Sequence, residues 1–233
     1  MQEQTQTKRL VSIEIGGGGR YYQSPDSKRW FPSVTTVINH RDAEKWKKWR
    51  ENPDNAATSQ AALERGNRLH TVVENYLVNK ELPTTDEQRL HFDPLLPHLE
   101  RISKIYAIET PLWSDDLLLA GRTDCIGDYD GVPSIIDFKT SGKTKRKEWI
   151  GNYFHQAAAY SYMWQERSGQ KIDQLVILIA CDDGSVQEFV EQRAHHRNGL
   201  ASVIKDYWNT NDFDQLQEVV GKAWEDAQHE MAG

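Results

Sequence analysis

The segment VSIEI at 11–15 alternates apolar and polar residues with the period of a half-buried strand. Gly16 to Gly19 then make a turn, and RYYQS can pair back on the first run, which predicts an N-terminal β-hairpin. In RWFPSVTTVINH, Pro32 suits the first turn of a helix, and Ser33 or its neighbours can accept hydrogen bonds from the free amides there. From about 42 to 80 the period is helical, broken at ENPDN, where Pro53 and its polar neighbours separate two helices. In the second, Leu69, Val72, Val73, Tyr76 and Leu77 form an apolar stripe. A further helix is expected from about 85 to 106, kinked or interrupted by Pro94 and Pro97.

Beyond this point the period changes. AIETPLWS, DLLLAGRTDCIGDYD and VPSIIDFKT are short runs rich in β-formers, separated by turn residues, and predict three successive antiparallel strands. A helix from about 147 to 167 follows and ends at the Ser168-Gly169 break. DQLVILIACDDGSVQEFVE then reads as strand, turn and strand, with VILIA apolar enough to be buried on both faces. Helical pattern returns at about 193–207 and 218–229. The order helix, three strands, helix, strand places the chain in the α/β class, and no internal repeat interrupts it.

At 233 residues the chain suits one functional unit. The expected division is a hairpin region over 1–32, a helical region over 33–106, a core over 107–191 and C-terminal helices over 192–233. No apolar run reaches the roughly 18 residues of a membrane span, and the N-terminus lacks the apolar core of a secretory signal, so an intracellular, cytoplasmic protein without a membrane partner is expected. The only cysteines, Cys125 and Cys181, are too few for a disulfide framework or for a cysteine-ligated zinc or iron–sulfur site. The net charge of -7 argues against a nucleic-acid partner only if it is evenly spread. It is not: basic residues concentrate in HRDAEKWKKWR and KTSGKTKRK, and screening lets such local patches hold phosphates on an acidic protein. A solvated face is the alternative reading of each patch.

The candidate chemistry lies on the predicted strands. Asp124 ends LLLAGRTD and Asp137 ends IID, so a tight turn between paired strands would bring both carboxylates to one edge of the sheet. Lys139, two residues beyond Asp137, projects to the same face of an extended strand, where an ammonium can orient a water or stabilise developing negative charge. Phe138 between them would point into the core and leave its backbone carbonyl as a further metal ligand. D-x-K alone is a weak motif, and a surface Asp–Lys pair is its ordinary meaning. An acidic residue ending the apolar run 132–136, where α/β sheets carry ligands, raises its significance.

The segments GRTD and IIDFKTS, with Gln156 and Tyr160 one helical turn apart, resemble the PD-(D/E)XK nucleases of the RecB-like branch. The likeness extends upstream to FPSVTTVI and ERGNRLHTVVENYL, an arrangement found in phage and mitochondrial exonucleases, and spans roughly residues 21 to 180. The resemblance implies a restriction-endonuclease-like αβββαβ core, with a central mixed sheet flanked by helices and a helical arch over the site. It implies that His70, Asp124 and Asp137 ligate one or two Mg²⁺ or Mn²⁺ ions, that Lys139 assists the water, and that Gln156 and Tyr160 serve on the helix. A lone helical histidine is ordinarily packed or solvated, so the role of His70 rests on the resemblance. Glu109 reads as a supporting acidic residue or an edge-strand salt bridge, and Cys125 as a packing residue.

Single strands are held by positive charge combined with aromatic faces. Trp30 and Phe31 precede the proposed phosphate-binding helix start at Ser33 and Thr35, and Trp46 and Trp49 interleave with Lys45 and Lys48; Lys143 and Lys145 supply a second basic loop. Trp46 and Trp49, at helical spacing, could equally be core. The resulting expectation is a metal-dependent DNA exonuclease acting on single-stranded ends in replication, recombination or repair, phage-encoded or bacterial, with replication or recombination proteins as further partners. A non-catalytic DNA-binding accessory protein, and an RNase or structure-specific endonuclease with the same metal site, stand as alternatives. Gly142-Lys143-Thr144 mimics a P-loop end, but the earlier glycine position is Asp137, which excludes nucleotide binding there.

Overall fold

A computed structural model describes residues 10–15 and 19–232, with side chains up to residue 229; the expected turn at 16–18 lies outside the described residues. Three strands, β1 (Val11–Ile15), β2 (Gly19–Gln23) and β3 (Trp30–Pro32), form a small antiparallel sheet. It leads into the short α1 (Val34–Ile38), then α2 (Ala43–Arg50), the long α3 (Pro53–Asn79) and α4 (Asp86–Leu99). The second sheet contains β4 (Ile102–Ser114), β5 (Leu119–Tyr129), β6 (Val132–Ser141), β7 (Gln174–Cys181) and β8 (Val186–Gln192), hydrogen-bonded in that order. Only the β6–β7 pair is parallel, bridged by α5 (Gly151–Ser168); α6 (Arg193–Thr210) and α7 (Phe213–Ala232) close the chain.

The strands of the second sheet carry apolar residues at consecutive positions because helices cover both faces. Ile135, Leu175, Ile177 and Ile179 pack with α1, α5 and α6, whereas Ile136, Phe138, Val176 and Leu178 pack with α3 and α4. Period-two alternation thus sorts one buried run between two cores. The result is the mixed α/β architecture expected, a five-stranded sheet flanked by helices. Among the described residues, no helix is long and apolar enough to cross a membrane.

Several local expectations are corrected. Pro32 closes β3 instead of opening a helix, and the helix after it has only five residues, capped by the Ser33 side chain accepting from the Thr36 amide. The helix expected from 85 to 106 stops at Leu99, and residues 102–106 begin the long strand β4. Pro94 and Pro97 lie inside α4, which runs on through both.

Trp30 and Phe31 belong to the core and are not free to stack on bases. Trp30 is 4% exposed against Leu216, Val220 and Trp224, while Phe31 is fully buried beside Trp113, Ala120 and Phe213. The side chains that cover Trp30, and Phe213 beside Phe31, come from α7, far along the chain, while Trp113 and Ala120 belong to β4 and β5. Gln217 clamps the strand from that helix: its Oε1 accepts from the Trp30 amide at 2.7 Å and its Nε2 donates to the Trp30 carbonyl at 2.8 Å.

Candidate active site

The β5–β6 ladder runs from Tyr129↔Val132 to Cys125↔Ile136, and beyond that pair a carboxylate takes the place of backbone pairing. Asp124 Oδ2 accepts from the Phe138 amide at 2.9 Å. That amide points toward β5, and on an extended strand the Phe138 carbonyl leaves on the same side, toward the opening between the strands. The Phe138 ring is buried among the α3 and α4 residues, as expected.

Asp124 is one of three residues whose ligand atoms converge. His70 on α3, Glu109 on β4 and Asp124 on β5 each place one such atom within 4.8 Å of the others. His70 Nδ1 lies 3.5 Å from Glu109 Oε1 and 3.6 Å from Asp124 Oδ2. Glu109 faces Asp124 across the antiparallel register, between the pairs Ile108↔Cys125 and Thr110↔Thr123. Its backbone is left-handed, with φ 43°, a strained conformation for a residue with a side chain. Arg122 Nε forms an ion pair with its other oxygen at 2.8 Å.

Asp137 stands just outside that close group. Its Oδ1 accepts from Lys139 Nζ at 2.6 Å, the contact expected of two residues on one face of a strand, while its buried Oδ2 has no hydrogen-bond partner. Burial pushes the Asp137 carboxyl up to about 6, with the Asp124 charge adding to the rise and the Lys139 ammonium only partly offsetting it. Burial works against the Lys139 ammonium, but Asp137 and Asp124 together raise it above its ordinary value, so it stays charged. His70 follows the same pattern: burial opposes protonation, and Asp124 and Glu109 outweigh it. Cys125, beside Asp124, is fully buried packing.

Helix α5 supplies the wall facing these groups. Gln156 and Tyr160, one turn apart, both line a cleft of about 460 Å³ that also contains His70, Glu109, Asp124, Ser33 and Thr35. Tyr160 can seat there because of Gly121, the glycine of GRTD: a Cβ at that position would meet Tyr160 Oη at 2.8 Å. Burial keeps the Tyr160 phenol protonated. Tyr153, one turn nearer the helix start than Gln156, lies against Lys139, whose Nζ is 5.4 Å from its ring centroid.

The structure thus brings together His70, Asp124, Asp137, Lys139, Gln156 and Tyr160, with Ser33 and Thr35 on the cleft wall. It does not bring Lys45, Lys48, Lys143 or Lys145 to that wall. Lys45 and Lys48 sit on α2, which buries no residue, so Trp46 and Trp49 are exposed and not core. Sequence reasoning underrated Glu109 and missed Arg20 and Arg122, which also line the cleft. Counting back from GRTD across a four-residue turn over 115–118 would have placed Glu109 opposite Asp124.

One imidazole with several carboxylate oxygens is a donor set suited to a divalent cation that takes oxygen ligands. The unpartnered Asp137 oxygen fits such an occupant, because a buried carboxylate oxygen otherwise forfeits a hydrogen bond. Asp124 and Asp137 lie within β5 and β6 and do not end them as expected; they stand where the pairing of these two strands stops, beyond Cys125↔Ile136. A mixed sheet flanked by helices, with carboxylates where two adjacent strands part and a lysine two residues on, defines a restriction-endonuclease-like nuclease core. Residues 98–232, more than half of the chain, match the PD-(D/E)XK nuclease superfamily, and the chain belongs to it. Nucleases of this superfamily use divalent metals.

The chain is 28% identical over 211 residues to human (Homo sapiens) mitochondrial genome maintenance exonuclease 1, an alignment covering 79% of this chain and 57% of that protein. It therefore spans little more than half the length of that relative. Among solved structures, one from Eubacterium rectale, assigned as an exonuclease by inference, aligns with TM-score 0.44 and 14% identity over 62% of this chain and 64% of that one. The structure of SSO0001 aligns with TM-score 0.39 and 15% identity over 78% of this chain and 79% of that one.

Proposed function

We propose that this protein hydrolyses phosphodiester bonds of DNA with Mg²⁺ or Mn²⁺, acting on the ends of single strands in replication, recombination or repair. The observation that carries the reading is the convergence of His70, Glu109 and Asp124 beside the Asp137–Lys139 pair, whose carboxylate keeps one oxygen unpartnered. Bound there, the metal supplies charge neutralisation at the phosphate and a water of lowered pKa.

The chain's own residues do the rest. Asp124 and Asp137, with His70, Glu109 and the Phe138 carbonyl, hold the cation. Lys139, kept as an ammonium by its carboxylate neighbours, orients the attacking water and stabilises the charge that develops on the phosphate. Gln156 and Tyr160 position the scissile phosphate from α5, and Ser33 and Thr35 offer hydroxyls to a neighbouring one. The exposed α2, with Trp46 and Trp49 beside Lys45 and Lys48, and the loop bearing Lys143 and Lys145 grip the strand outside the cleft. Preference for ends draws on the 28% identical exonuclease, and preference for single strands on the exposed aromatic and basic side chains of α2.

The test is incubation of end-labelled linear and circular single strands, duplexes and RNA with Mg²⁺, Mn²⁺ or EDTA, beside Asp137→Ala. Cutting of linear but not circular single-stranded DNA is expected. Activity that survives EDTA or Asp137→Ala would refute the assignment.

A further inference from the structure

Trp149 is 64% exposed, the most exposed of the large apolar side chains among the described residues. It ends a 3₁₀ turn, Lys147–Trp149, between the loop that follows β6 and the start of α5. The adjacent Ile150 is fully buried, so the backbone under Trp149 is anchored while its indole projects into solvent. The Arg146 guanidinium lies over this indole, 5.4 Å from its centroid. Lys143 and Arg146 are exposed and Lys145 is half-buried, and among the described residues none of the three is within ion-pair distance of a carboxylate. Lys147, by contrast, is paired with Glu191.

The position of this patch is set by the chain. Tyr153, Gln156 and Tyr160 recur at intervals of three and four residues on one face of α5, and Trp149 stands on the 3₁₀ turn that leads into the helix. Gln156 and Tyr160 line the cleft, Tyr153 carries the Lys139 ammonium on its ring, and Trp149 precedes the helix start by two residues. From the candidate centre, past the lysine, α5 and the turn before it therefore lead to a solvent-facing indole bordered by three cations that make no ion pair among the described residues.

We propose that Trp149 and Arg146, with Lys143 and Lys145, form a base-stacking platform that holds an unpaired nucleotide of the substrate strand on the Lys139 side of the candidate centre. The proposal rests on the nuclease reading and deepens it. An indole face open to solvent needs a flat π-surface, which an unstacked base offers and a base inside a duplex does not. The flanking cations match the phosphates on either side of that base. The platform thereby favours single-stranded over duplex substrate.

The experiment is fluorescence anisotropy of the full chain in EDTA with a labelled oligothymidylate, an abasic strand of equal length and a duplex. Trp149→Ala is expected to weaken binding of the intact strand about 5- to 100-fold, with Trp149→Phe retaining most of the affinity. The abasic strand should bind wild type and Trp149→Ala alike. Arg146→Ala should lower the slope of log affinity against log salt by about 0.7, one phosphate contact on a single strand.

Equal affinity of Trp149→Ala and wild type for the intact strand would overturn the proposal. So would an equal loss on the intact and abasic strands, or an equal loss on the duplex. Since Trp149 is exposed, a melting curve matching wild type is expected and separates loss of stacking from loss of fold. Cleavage by the wild type with Mg²⁺, run in parallel, separates the two readings. Cleavage without Trp149 dependence removes only the platform; Trp149-dependent binding without cleavage of any nucleic acid removes the nuclease reading and leaves the platform.

Discussion

Gly121→Ala is a one-carbon change whose consequence can be worked from distances. The added Cβ would lie 2.8 Å from Tyr160 Oη, 3.0 Å from Cε1 and 3.3 Å from Cζ. Ordinary contact begins at 3.4 Å, so the phenol must retreat by about 0.6 Å, and only the cleft side is open to it, because Tyr160 is 4% exposed on a helix whose Ala157, Ala158, Ala159 and Met163 are fully buried. Overpacking of this kind costs about 1–3 kcal/mol, and the lower entropy of the unfolded chain returns about 0.5 kcal/mol. A net loss of about 1–2 kcal/mol is expected by urea denaturation.

Activity should fall too, since Tyr160 and Gln156 move together on the cleft wall. The Tyr160→Phe background removes the closest atom, so Gly121→Ala should cost about 1 kcal/mol less there than in wild type, a coupling that a double-mutant cycle reads directly. Equal denaturation curves for Gly121→Ala and wild type, or no coupling in the cycle, would refute the account of why this glycine stands before Arg122-Thr123-Asp124.

Lys139→Ala should lower the rate of DNA cleavage by about 10²–10³-fold with the fold intact by circular dichroism, the cost of losing one charge-stabilising donor. Mg²⁺ or Mn²⁺ at about 100 times its Kd should raise stability by about 2.7 kcal/mol in a thermal melt, and Glu109→Gln should shrink that gain. The metal-dependent gain should also fall as the pH drops through about 6, because Asp137 takes up its proton there and a ligand must be deprotonated. Without metal the sign reverses: a carboxyl raised on folding holds its proton more tightly in the folded chain, so Asp137 favours the fold below 3.8 and costs stability as the pH climbs from there to about 6. Asp182→Ala should cost about 1–3 kcal/mol and speed amide exchange in α3 and α4, because Asp182 accepts from His91 Nε2 at 2.8 Å and from Arg65 Nη1 at 3.0 Å, and His91 is only 5% exposed.

How far the sequence reveals this molecule depends on the range of the forces involved. IIDFKTS and VILIA are legible because burial on both faces leaves a continuous apolar run, and a charge that interrupts such a run marks the point where β6 parts from β5 and Asp137 and Lys139 meet. His70 is different. Nothing within its own helix singles it out, and only the likeness of the surrounding segment to known nucleases assigns it a task. Trp30 and Phe31 mislead because the Leu216, Val220 and Trp224 side chains that bury Trp30 arrive from the far end of the chain. Aromatic residues beside basic ones look the same in sequence whether a distant helix covers them, as here, or leaves them in solvent, as at Trp46, Trp49 and Trp149. Glu109 is obscured for a geometric reason: its left-handed backbone has no signature in a strand-like run of residues.

The same site also explains why its parts are arranged against the chain's own stability. Glu109 is held in a strained conformation, Asp137 keeps a buried oxygen without a partner, and three carboxylates crowd around one histidine and one lysine. Uncharged residues at the buried position of Asp137 would remove a desolvation cost that Lys139 only partly offsets. The rest of the fold supplies the rigidity that such a site needs: Asp124 is tied to the Phe138 amide, Arg122 fixes one oxygen of Glu109, and Gly121 lets α5 press Tyr160 against the strand. Strain and unsatisfied charge persist where the surroundings over-determine them, and here they converge on a position that a divalent cation and a phosphate would together neutralise.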